Sequence, residues 1–189
     1  MQSHPVKLSD YAIGILYAYG YVNTCQYNKI IVRCYDKHPP EILSKETGYA
    51  LGKTGENPFG VCSYNVTICN LHELPDISEV TNHADFCRGY IECHNCMSLM
   101  HCHDRKTGRK FLTLKLEIFG KSEILELIMD WLPATPKKLV KKISPTSGNI
   151  GYSLKYKSKS EIADILNWMD GTPRNEAVWK KWRDTMSQI

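Results

Sequence analysis

The strongest constraint on this chain of 189 residues is that its order of elements repeats. The apolar segment from Leu8 to about Tyr19, led in by Ser9 and Asp10 as capping residues, reads as a helix. Two β-type runs follow, Tyr21 to Gln26 and Lys29 to Tyr35, with a hairpin turn near Tyr27-Asn28. In the second run Ile30, Val32 and Cys34 alternate with Lys29, Ile31 and Arg33, the period of a strand with one buried face. Pro40 suits the first turn of a helix continuing through EILSKETGYALG to a glycine stop at Gly52. A second β region, FGVCSYNVTIC, and then LPDISEV close the unit.

After a connector near residues 75–84 the order returns. A helix from Asp85 to His94 precedes a hairpin of MSLMHCH and FLTLKLEIF across the polar turn DRKTGRK. Ser122 caps the helix EILELIMDWL, and Pro133 and Pro136 end it. Strands KKLVKKI and YSLKYK flank SPTSGNIG, and SEIADILNWM repeats Ile162, Ile165, Leu166 and Met169 at helical spacing. In the tail RNEAVWKKWRDTM, Trp179 and Trp182 form a stripe suited to docking on the core. The expectation is an α+β fold of two α-β-β-α-β-β-α lobes, residues 1–80 and 81–189, the second carrying the C-terminal helix.

Composition narrows the functional classes. No segment approaches the roughly 18 apolar residues of a membrane span, and MQSHPVKLSD lacks the basic and apolar regions of a signal peptide, so an intracellular protein of cytoplasm or nucleus is expected. In that compartment the eight cysteines stay reduced, and the sequon at Asn65 stays unglycosylated. The formal charge of +4 is unevenly spread. Residues 1–82 hold 6 basic and 8 acidic side chains, residues 83–189 hold 18 and 12, so a polyanion partner belongs with the C-terminal half.

Other motifs carry less. CHNCMSLMHCH holds Cys93, Cys96, His101, Cys102 and His103, but a zinc site would need a helix end to fold back on its own strand. Structural cysteines with surface histidines explain it better, and no metal or cofactor is expected. GYALGKT is one residue short of a P-loop and follows a helix where a strand is required. No hydrolase nucleophile sits in a recognisable turn.

Two segments, AIGILYAYG at 12–20 and CRGYIECHN at 87–95, about 75 residues apart, give the chain its family likeness. With the doubled element order, they make it resemble a two-repeat LAGLIDADG homing endonuclease, over essentially the whole chain. The resemblance implies that the two motif helices pack backbone to backbone, which small residues at the third and seventh motif positions permit. Those positions are Gly14 and Ala18, and Gly89 and Cys93. Gly20 and Asn95 close the motifs, and both residue types tolerate a left-handed turn.

In active members the residue before the last is an acid whose carboxylate holds divalent cations against the scissile phosphates. Here those positions are Tyr19 and His94, neither of which supplies the hard oxygen ligand that metal-assisted cleavage needs. Glu92 is no substitute, since a displacement of two residues turns a helical side chain by about 200°. The resemblance therefore implies a scaffold without its catalysis and not an enzyme.

The family's strands line a saddle over the DNA major groove, which makes the basic strands the candidate nucleic-acid-binding face. Lys115 shares a strand face with Phe111, Thr113 and Glu117, opposite Leu112, Leu114, Leu116 and Ile118. Lys155 and Lys157 share another with Ser153. Arg105, Lys106, Arg109 and Lys110 come from the turn, and Lys137, Lys138, Lys141 and Lys142 from the strand beyond, against Lys29, Arg33 and Lys37 in the first half. The leading reading is an inactive, monomeric, DNA-binding homing-endonuclease-like protein, a regulator or a remnant of a mobile element or virus. The alternative is a protein-interaction module, such as a viral inhibitor of a host factor. RNA binding of a maturase type is a third.

Overall fold

The computed structural model describes residues 7–23, 29–58, 60–69, 71, 73–104, 106–143 and 148–189. The turn at Tyr27-Asn28, Cys25 and Arg105 fall outside them. The chain divides into two compact units between Cys93 and His94.

The first unit runs α1 (Asp10–Tyr19), β1 (Gly20–Asn23), β2 (Lys29–Cys34), α2 (His38–Thr47), β3 (Gly52–Lys53), β4 (Tyr64–Ile68), a 3-10 turn (Ile77–Glu79) and α3 (His83–Cys93). Its sheet is antiparallel in the order β1-β2-β4-β3. The alternation in β2 places Ile30 and Val32 inward, across from Ile68 and Val66 of β4. Leu43 and Ile42 of α2 and Tyr11, Ala12, Ile15 and Leu16 of α1 complete this core. Helix α1 is buried without interruption from Tyr11 to Leu16, because the sheet takes one side and α3 another.

The second unit runs β5 (Asn95–His103), β6 (Lys110–Gly120), α4 (Ser122–Trp131), β7 (Val140–Ile143), β8 (Ile150–Tyr156), α5 (Lys159–Met169) and α6 (Glu176–Met186). The order β5-β6-β8-β7 repeats that of the first sheet. Leu114, Leu116, Ile118, Leu154 and Tyr156 point inward to Leu125, Ile128, Ile162, Ile165, Met169, Trp179 and Trp182. Trp182 also donates its indole N–H to the Asn95 side chain at 3.0 Å, so α6 is tied to the start of β5.

Several boundaries differ from the sequence reading. Helix α2 stops at Gly48, whose φ of 74° is the left-handed cap that glycine adopts without strain, and Gly52 instead enters β3. GYALGKT therefore leads from a helix into a strand, the reverse of a phosphate-binding loop. Ser122 is the first residue of α4 and Lys121 its cap, with no side-chain bond to the helix end. Of FGVCSYNVTIC, only Tyr64–Ile68 is strand among the described residues. Leu112 is exposed, in the part of β6 that lies before its pairing with β8 begins at Leu116.

Candidate nucleic-acid interface

Within the first unit, α1 and α3 run side by side at backbone contact. A Cβ on Gly14 would lie 2.2 Å from the Phe86 carbonyl oxygen and 2.9 Å from the Tyr90 nitrogen. One on Gly89 would lie 2.1 Å from the Tyr11 carbonyl oxygen and 3.3 Å from the Ile15 nitrogen. Adding 75 to 11, 14 and 15 gives 86, 89 and 90, so the contact maps onto itself when the helices are exchanged. No side chain larger than hydrogen fits either crossing position. Cys93, in the last turn of α3, packs against the core that α1 helps to form.

The two helix starts are joined by Asp10, whose carboxylate accepts hydrogen bonds from the Asn82 amide at 2.7 Å and from the Thr81 hydroxyl at 3.0 Å. At the other end the Tyr19 hydroxyl donates to the Cys93 carbonyl at 2.8 Å. This satisfies one of the last carbonyls of α3, which a helix end leaves without an internal donor. Burial, with the Asp36 carboxylate nearby, pushes the Tyr19 pKa well above its ordinary value, so the phenol stays protonated. Asp36, a residue outside the motif, is thus the carboxylate whose field reaches this helix end. Gly20 is extended, with φ −70° and ψ 134°, so no left-handed turn is needed after Tyr19. Its side-chain-free backbone answers instead to the Leu16 carbonyl, 2.5 Å from where a Cβ would sit.

His94 opens the second unit. Burial lowers its pKa, against the opposing effect of a hydrogen bond to the Phe119 backbone, and keeps the ring neutral at pH 7. Asn95 begins β5, so the second motif also ends without a left-handed residue in that place.

Glu92 is buried. It accepts a hydrogen bond from the Tyr11 hydroxyl at 2.5 Å, and that oxygen lies 2.9 Å from Nε2 of His38. Since the Tyr11 proton goes to Glu92, the neutral His38 ring supplies the proton of the second bond. Arg88, buried in α3, pairs with Asp85 at 2.6 Å and lies over the Tyr11 ring at 5.3 Å. These acids are held by protein groups on the helices.

In the second unit, the sheet face turned away from the helices carries Ser98, Thr113, Lys115, Glu117, Lys142, Ser153 and Lys155 by register. Glu117 sits at the centre. Its side chain is 5% exposed and lies 2.9 Å from Lys115, 3.1 Å from Lys142 and 3.5 Å from Lys155. Burial alone would raise its pKa, but the hydrogen bond from Lys115, with the Ser153 hydroxyl and the Lys142 ammonium beside it, outweighs that and draws it down to about 2. Glu117 was assigned to this face from the sequence without a role. The two-residue step from Lys115 to Glu117 was a usable signal, but the pairing with Lys155 depends on cross-strand register.

The remaining basic residues do not form one surface. Lys137 bonds Glu161 of α5 at 2.7 and 3.0 Å and lies over the Tyr156 ring, on the helix side of the sheet. Lys141 alternates with Lys142 and so takes the opposite face of β7. Lys138 and Lys157 are exposed. Lys106, Arg109 and Lys110 are exposed in and beside the β5-β6 turn, whose shape Asp104 sets by accepting from the Lys106 amide at 2.9 Å and the Thr107 hydroxyl at 2.7 Å. In the first unit, Arg33 is exposed and Lys29 half-buried on β2, while Lys37 precedes α2 and pairs with Glu41 at 3.6 Å. His101 and His103 share one side of β5 and Cys102 takes the other. Among the described residues, no three His, Cys, Asp or Glu side chains converge as metal ligands. Nor is any helix among them long and apolar enough to cross a membrane.

No protein-family model matches the sequence, and no curated protein does. Solved structures do match. The LAGLIDADG homing endonuclease I-LtrWI, bound to its target DNA, superposes with a TM-score of 0.60 at 12% identity, covering 95% of this chain and 89% of its own. The LAGLIDADG meganuclease I-AabMI, bound to uncleaved DNA, gives 0.62 at 7% identity over 96% and 92%. I-GzeII, in complex with its DNA target, gives 0.58 at 9% over 97% and 91%. The doubled element order and the two matching sheets belong to one architecture: this chain has the α+β, two-lobed fold of the single-chain LAGLIDADG homing endonucleases.

Proposed function

We propose that the chain is a catalytically inactive protein of homing-endonuclease fold that binds duplex DNA as a monomer inside the cell, through the strand face and hairpin turn of its second unit. The observation that carries the loss of catalysis is at the end of α1. The motif position that calls for a carboxylate holds a protonated Tyr19, whose hydroxyl is committed to the Cys93 carbonyl. A neutral phenol and a neutral imidazole at His94 offer no pair of hard, charged oxygens for magnesium. DNA binding is supported by the exposed cations Lys106, Arg109, Lys110 and Lys157, and by the DNA-bound state of the solved structures that share the fold.

The test is duplex binding across a salt series. Each phosphate neutralised contributes about −0.9 to the slope of log affinity against log salt. Replacing Lys106 and Arg109 with Gln should make the slope shallower by up to about two units if each meets a phosphate, while Lys7→Gln with Lys45→Gln should leave it unchanged. Duplex binding no tighter than the roughly 10⁻⁴ to 10⁻⁶ M of non-specific contact at physiological salt would remove the DNA reading and favour a protein partner.

A further inference from the structure

The strand face of the second unit contains its own anion. Glu117 is nearly buried, fixed on the middle of β6, and surrounded by Lys115, Lys142 and Lys155, whose side chains are 19%, 45% and 30% exposed. The acid is the immobile member and the lysines are the ones with freedom to move, because a long flexible stem carries each ammonium group toward solvent. One carboxylate among three ammonium groups lowers the net charge of the cluster from three to two. It also supplies the oxygen contacts that a phosphate would otherwise offer.

We propose that Glu117 is an internal competitor for phosphate, occupying Lys115, Lys142 and Lys155 in the free protein and so moderating the affinity of this face for a nucleic-acid backbone. The inference rests on the duplex-binding reading of the same face and adds how its strength is set. A basic surface without the acid would hold any polyanion indiscriminately. With Glu117 in place, the three lysines contribute in full only to an anion able to draw them from the carboxylate. The exposed hairpin cations Lys106 and Arg109, for which no ion pair is present among the described residues, carry first contact.

Glu117→Gln tests this by removing the charge and keeping the shape. One charge regained steepens the salt slope by about 0.9, equivalent to roughly eightfold tighter duplex binding at 0.1 M salt with no difference at 1 M. The variant should also leave a heparin column at higher salt than the wild type. Glu117→Met, which removes the carboxylate and its buried oxygens, should give the same steepening and stands in if the Gln variant does not fold. In the wild-type chain, amine acetylation followed by mass spectrometry should be slower at Lys115, Lys142 and Lys155 than at Lys106 and Lys157. Equal slopes in wild type and a folded Glu117 variant would overturn the competitor role while leaving duplex binding intact, as would equal acetylation rates at all five lysines. If the wild type ignores duplex but the variant binds both duplex and heparin, the competitor role stands and the wild-type DNA reading falls. If neither protein binds duplex or heparin, both fall.

Discussion

Helices α1 and α3 share a backbone relationship and differ in what their side chains do with it. At the crossing the equivalence is close: Gly14 meets Phe86 and Tyr90 as Gly89 meets Tyr11 and Ile15. One turn further on it has diverged. The pair Tyr11 and Glu92 forms a short buried hydrogen bond, whereas the equivalent pair, Phe86 and Tyr17, meets edge to face at 5.5 Å and sends the Tyr17 hydroxyl to the Pro75 carbonyl. At the helix ends the divergence is complete, with a tyrosine in one motif and a histidine in the other. Symmetry persists where backbone meets backbone, since any side chain there is excluded, and relaxes where a side chain has only to be satisfied.

The largest expected effect breaks the shared part. Gly14→Leu or Gly89→Leu places a branched side chain where even a Cβ collides with a carbonyl oxygen. Overpacking costs about 1 to 3 kcal/mol, and a backbone obstacle puts these variants at or above the upper end. Thermal melting should show a large drop in Tm for both and little change for Gly55→Ala, whose surroundings are open. Unchanged melting at Gly14 and Gly89 would separate the helices.

The next effect sharpens the difference between equivalent positions. Tyr11→Phe leaves Glu92 buried without that donor, a loss of about 1 to 3 kcal/mol for an unsatisfied buried group. Tyr17→Phe removes a bond at a half-buried hydroxyl and should cost only about 0.5 to 1.5 kcal/mol. Chemical denaturation of the two variants decides the order, and equal losses would mean that the Tyr11–Glu92 bond has no special weight. Smaller still is Tyr19→Phe, which removes one bond to the end of α3 and should lower stability by about 0.5 to 1.5 kcal/mol. A larger loss would give the Tyr19 hydroxyl a part beyond capping α3.

Much of the architecture was legible in local pattern. The alternation of β2 and β6, and the spacing of Ile162, Ile165, Leu166 and Met169, each report one buried face, and burial follows those faces except on β6, where Leu112 is exposed and Glu117 is buried. Gly48 was missed as the stop of α2 because the apolar pattern runs on through Tyr49 and Leu51, and the choice between two glycines depends on which adopts positive φ. The basic face was legible only as composition. Lys137 and Lys141 look equivalent to Lys142 and Lys155 along the chain, yet strand alternation and Glu161 take the first two to the other side. Glu117 shows the same limit, since its partners come from three strands and meet only through register.

The most direct test of the account is cleavage. Incubated with a library of random-sequence duplexes in magnesium or manganese, and with the ends sequenced, the wild-type chain should yield no reproducible breaks. Reproducible staggered ends that disappear in Tyr19→Phe or His94→Ala would contradict it and place a working metal site at these helix ends.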